Sequence, residues 1–99
     1  MATLVLKNGE SIEILSYTDV VQFEGPSENC IQIFFPDTNE PTDLINNFNE
    51  IFTSDNISSI KICEENKPDV DFEIIYLVEF MVFYSDSTRS VEMVLRLKN

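Results

Sequence analysis

The chain has 99 residues, enough for one domain (1–99) with one modest core, and 43% of them are hydrophobic, including eight Phe and three Tyr. It carries 18 acidic residues against 6 basic ones, a formal net charge of -12. That balance argues against a nucleic acid or an anionic membrane as direct ligand, because like charges repel, and favours a basic protein surface as partner, although acidity also serves solubility alone.

Taken in order, Thr3–Lys7 and Glu10–Leu15 alternate apolar and polar residues around Asn8-Gly9. The pattern predicts a hairpin with a two-residue type I′ turn, in which both central residues have positive φ. Ser16–Asp19 is polar and turn-like, Val20–Glu24 reads as a short strand, Gly25–Asn29 as a loop, and Cys30–Phe35 as a strand stopped by Pro36. Leu44, Ile45, Phe48, Ile51 and Phe52 then form a helical apolar stripe, with Thr42 as N-cap and Glu40 and Asp43 at the positive end of the dipole. This helix of about three turns is expected to cover the sheet. Ile57–Cys63 returns as a strand, Glu64–Asp69 is an acidic loop, and Arg89–Lys98 alternates again after a turn at Ser85–Thr88.

The stretch Val70–Tyr84 organises the rest. It has no Gly or Pro and is rich in β-branched and aromatic residues. At period two, Val70, Phe72, Ile74, Tyr76, Val78, Phe80, Val82 and Tyr84 share one side, while the other begins with Asp71 and Glu73 and then turns apolar. It reads as one long central strand, or as two collinear strands with a bend near Leu77–Glu79, covered on both faces in its second half. The expected fold is α+β, an antiparallel sheet of about six to seven strands with one covering helix.

The residue inventory limits the chemistry. Without His there is no Ser-His-Asp or Cys-His arrangement, and Cys30 and Cys63 stand apart in apolar runs as small hydrophobes. Two Gly residues give no phosphate-cradling loop. The N-terminus lacks the pattern of a signal peptide, and Glu73 and Glu79 interrupt the only apolar run long enough to suggest a membrane span. The expected setting is the cytoplasm, with reduced thiols, no cofactor and no metal.

Glu64, Glu65, Asp69, Asp71 and Glu73 form the densest acidic group. Pro68-Asp69 has the form of the start of a Pro-Asp…Glu-x-Lys nuclease core, but neither Glu73 nor Glu79 is followed two residues on by Lys. Asp69, Asp71 and Glu73 would point the same way along a strand, roughly 6.6–6.8 Å apart, a line of charge suited to a basic groove. The plainer account is a charged flank that keeps a sticky strand from aggregating. Phe34, Phe35, Phe80, Phe83 and Tyr84 exceed what one helix can cover, so a remaining apolar patch would serve self-association or a partner.

The Thr3–Ile14 hairpin, the Phe35-Pro36-Asp37 strand end, the Leu44-Ile45…Phe48 helix, Ile60-Lys61-Ile62 and Val94-Leu95-Arg96 together resemble the layout of small acidic proteins encoded in phages and prophages of Firmicutes. That resemblance implies either an inhibitor of a host defence system, of the anti-CRISPR kind, or a tail or virion component. The reading is a non-enzymatic acidic protein that inhibits a host nuclease or effector by occupying its basic surface. The alternatives are a virion part that self-associates and, with similar charge logic, an immunity or antitoxin-like protein.

Overall fold

In the computed structural model, residues 2–22, 29–38, 47–85 and 88–98 are described. They form seven strands: β1 (Ala2–Val5), β2 (Ser11–Ile14), β3 (Ser16–Gln22), β4 (Asn29–Thr38), β5 (Ser59–Glu64), β6 (Val70–Ser85) and β7 (Thr88–Leu97). All pair antiparallel, in the order β2-β1-β5-β6-β7-β4-β3.

The order has a consequence for shape. β2 and β3 stand at opposite ends of the sheet, yet only Leu15 separates them in sequence. At that junction the Leu15 N–H donates to the Phe34 carbonyl at 2.7 Å, so one run of chain leaves β1 and joins β4. β6 changes partners too: Val70–Glu73 pairs with β5 and Ile74–Ser85 with β7. The sheet therefore folds over into two layers, with strands crossing at both corners. Leu4, Ile14, Ile60 and Ile62 from one layer and Ile31, Ile33, Met93 and Leu95 from the other are at most 2% exposed and belong to one core. Burying each such side chain contributes about 1.5–3 kcal/mol.

This closure corrects the expected α+β class. Among the described residues the only helix is α1, Phe48–Ile51, a single turn whose Asn47 N-cap makes no side-chain cap bond. Leu44, Ile45 and the proposed cap at Thr42 lie outside the described residues. Each layer's apolar face is already covered by the other, so no helix is needed across the sheet, and the Asn-rich run is a poor helix former. The stripe still finds the core at Phe48 and Phe52. Phe48 stacks on Phe80 with ring centroids 4.0 Å apart, and Phe52 meets Phe35 edge-on at 6.4 Å.

β6 departs from simple alternation. Its register with β7 slips between Ile74 and Tyr76 and again between Leu77 and Glu79, leaving Ile75 and Val78 as extra residues. Each slip reverses which side chains face inward. Ile74 is buried, Leu77 packs on the core, Tyr76 is 42% exposed, and Phe80 and Val82 return to the core side. Val70–Tyr84 thus does not keep its even-numbered residues on one face. Elsewhere, Ser16–Asp19 is strand rather than turn, and β4 continues past Pro36 with an irregular register between Phe35 and Thr38. Proline is tolerated at such an irregularity because a ladder hydrogen bond is already missing there.

The first hairpin differs in its turn. The Gly9 N–H donates to the Leu6 carbonyl and the Leu6 N–H to the Glu10 carbonyl, both at 2.9 Å, which encloses the three residues Lys7, Asn8 and Gly9. Of these three, only Gly9 has positive φ, at 93°. This is a type I turn followed by a glycine bulge, not type I′. Asn8 Oδ1 instead accepts from the Glu10 N–H at 2.8 Å.

Buried Asn56 locks this turn to the segment after α1. Its Oδ1 accepts from the Asn8 N–H at 2.9 Å, its carbonyl accepts from the Lys7 N–H at 3.0 Å, and its Nδ2 donates to the Ile51 carbonyl at 2.7 Å. Asn56→Ala would leave the Asn8 N–H and the Ile51 carbonyl without these partners, and a loss of about 2–3 kcal/mol is expected in urea unfolding. Gly9→Ala is expected to lose about 1–2 kcal/mol from backbone strain alone, since a Cβ there meets nothing within 4 Å. Gly9→Asn should lose less in the same assay, because Asn tolerates this conformation.

Candidate functional site

The start of β6 has one face in the core and one outside. Phe72 lies opposite Ile60 and Val70 opposite Ile62, both buried positions of β5, so Asp71 and Glu73 point outward, opposite Lys61 and Ser59. The same register carried one step further sets Asp69 beside Cys63, close enough for its carboxylate to act on the thiol. Asp69, Asp71 and Glu73 are all exposed. These three expected residues are brought together on one outer face.

Glu64 and Glu65 do not join them. Glu64 pairs with Ala2, whose side chain lies in the core, so it sits on the opposite face at the end of β5. There it makes an ion pair with Lys67 at 3.6 Å. Glu65 is exposed in the following turn, which Asn66 completes with φ of 65°.

Two residues not singled out from sequence also belong to this face. Thr3 on β1 pairs with Glu13 on one side and Cys63 on the other, so Glu13, Thr3 and Cys63 form one row across three strands, which Asp69, just before β6, continues. At a strand spacing of about 4.8 Å, Glu13 stands roughly 14 Å from Asp69. The hairpin's alternation held the signal, since it puts Glu13 opposite in phase to Ile12 and Ile14. The other residue is exposed Lys61, directly across from Asp71, which interrupts the run of negative charge. A shallow groove of about 280 Å³ opens beside it, between Lys7, Gly9, Ser59, Lys61 and Asp71. Lys7 reaches Asp55 at 3.4 Å.

The Cys63 thiol is pushed above its ordinary value, first by loss of water contact and then by the hydrogen bond and charge of Asp69, with Asp71 adding to the effect and Lys61 opposing it. It is thus a poor nucleophile at neutral pH. Among the described residues, no three His, Cys, Asp or Glu side chains gather as a metal site requires, and no helix is long and apolar enough to cross a membrane. What the arrangement offers is an exposed, charged outer face with hydrogen-bond acceptors.

Compared with known proteins, the chain matches no family model, no curated protein and no solved structure.

The geometry at Cys63 can be checked by its rate of alkylation with iodoacetamide as a function of pH. Asp69→Asn removes a nearby negative charge, so more thiolate forms at a given pH. The pH midpoint of alkylation is expected to fall, with Cys30 remaining unreactive in the folded chain because it is fully buried.

Proposed function

We propose that this chain is a non-enzymatic binding protein whose acidic outer face docks on a basic, nucleic-acid-binding surface of a partner protein. The observation that carries the reading is the set of exposed carboxylates Asp69, Asp71 and Glu73 on one face of a chain with net charge -12. β6 holds Asp71 and Glu73 at a regular spacing with Asp69 just before it, so little backbone ordering is needed on binding. The long-range field steers a basic partner inward, and the fixed carboxylates meet cations that would otherwise meet phosphates. In the phage setting suggested by the sequence layout, the partner is a nuclease or effector of host defence and the outcome is its inhibition.

A second reading is a particle component that assembles through apolar contacts. The exposure of Ile75, Tyr76, Phe83 and Tyr84 favours it.

Affinity capture from host lysate at low and high salt separates the two. Under the first reading, a basic nucleic-acid-binding protein is retained at low salt, released by high salt and displaced by added nucleic acid. The double reversal Asp71→Lys with Glu73→Lys is expected to weaken that complex by about tenfold or more. Glu64→Lys should weaken it much less, because Glu64 faces the other way. Retention of only its own copies or particle proteins, insensitive to salt, would overturn the docking reading.

A further inference from the structure

Among the described residues, the second half of β6 has a strand on one side only. β5 pairs with it over Val70–Glu73, and the last link on that side is the Ile74 N–H donating to the Ser58 carbonyl at 2.9 Å. From Ile75 to Ser85 the described residues supply a strand on the β7 side alone. Among the described residues, about eleven residues of edge without a strand follow directly on the acidic face. Along this edge Ile75 is 49% exposed, Tyr76 42%, Phe83 47% and Tyr84 74%, so it is not blunted by polar residues throughout.

We infer that this edge receives an extended, arginine- or lysine-rich segment of the partner protein as an added antiparallel strand, collinear with β5. The inference rests on the docking reading above and names the form in which the basic partner binds. Charge selects the occupant. From Ile75 to Ser85 the sequence holds Glu79 and no basic residue, and Asp69, Asp71 and Glu73 stand just before that stretch, so a strand laid along it meets Glu79 and ends beside the carboxylates. The exposed rings suit the same cations, since guanidinium and ammonium groups stack on aromatic faces. Tyr76 already lies under the Arg96 guanidinium, 5.9 Å from the ring centroid. A second copy fits poorly: a two-fold centred on Glu79 sets that carboxylate against itself, and the pair doubles a charge of -12. Main-chain hydrogen bonds would supply affinity, with alternate side chains reading the rings and carboxylates.

The test uses a capped peptide of about ten residues alternating arginine and valine, and the same peptide with alternate backbone amides N-methylated. Amide chemical shifts and hydrogen exchange of the full chain are followed by NMR. The expected result is protection of amides between Ile75 and Tyr84 by the first peptide, with affinity about tenfold or more lower for the methylated one. Equal binding of both peptides, with shifts confined to Asp69–Glu73 and Glu13, would overturn the edge and leave the docking face standing. Protection of the edge without peptide, rising with protein concentration alongside a doubled mass in light scattering, would make a second copy the occupant and overturn the inference. Binding of neither peptide, with salt-sensitive capture from lysate intact, would likewise sink the edge alone. Failure of that capture would instead sink the docking reading.

Discussion

β6 belongs to both layers, and most of the architecture follows from that sharing. Its first four residues complete the β2-β1-β5 layer, and the remainder pairs with β7 in the other. The run 11–22 makes the second crossing, with Leu15 as its corner. Two shared strands bring two apolar faces together without a linker, and the Leu4, Ile62, Ile33 and Met93 core is the result. The two extra residues in β6 belong to the same constraint. A strand that turns from one layer into the other must twist sharply, and Ile75 and Val78 lie just beyond the point where β6 changes partners.

Sequence pattern captured the strands with clear local alternation and not the start of β3, where polar Ser16–Asp19 has the signature of a turn. The first hairpin, β5 and β7 were legible from Leu4, Ile60, Ile62, Val91, Met93 and Leu95, whose spacing of two survives in the structure. Closure was not legible, because it depends on which distant strands pair. With no second layer in view, the stripe through Phe48 and Phe52 was the only available cover for the sheet. Its described part proved to be one turn that inserts two rings near Phe80. The turn at Asn8-Gly9 was misread for a related reason. Asn8 is needed in an ordinary conformation, where its side chain accepts from Glu10 and its own N–H donates to distant Asn56.

The acidic site was legible where it depended on strand phase and obscure where it depended on neighbours. Asp69, Asp71 and Glu73 alternate with Val70 and Phe72, and alternation alone puts them outside. Glu64 follows Cys63 by one residue and so falls on the opposite face, a distinction lost when the carboxylates are grouped by nearness in sequence. Glu13 and Lys61 join the face only through pairing across β1 and β5. On the proposed docking reading, Lys61 opposite Asp71 would repel a partner's cation at one position and favour an acidic or neutral group there, where a uniform row of carboxylates would attract any cation.

The same partner change at Glu73–Ile74 that closes the core also ends β5's coverage of β6. The acidic face and the open edge are therefore consecutive parts of one strand, not two independent surface features. The strand start presents the carboxylates, and its continuation, which among the described residues pairs with β7 alone, presents backbone groups and rings a few residues on. An incoming segment that satisfies one is placed by geometry to meet the other, with charge setting its approach and the backbone ladder its register. Binding at either part alone would use half of that arrangement. Under the proposed docking, their continuity would join a charge-steered encounter to a strand-like complex.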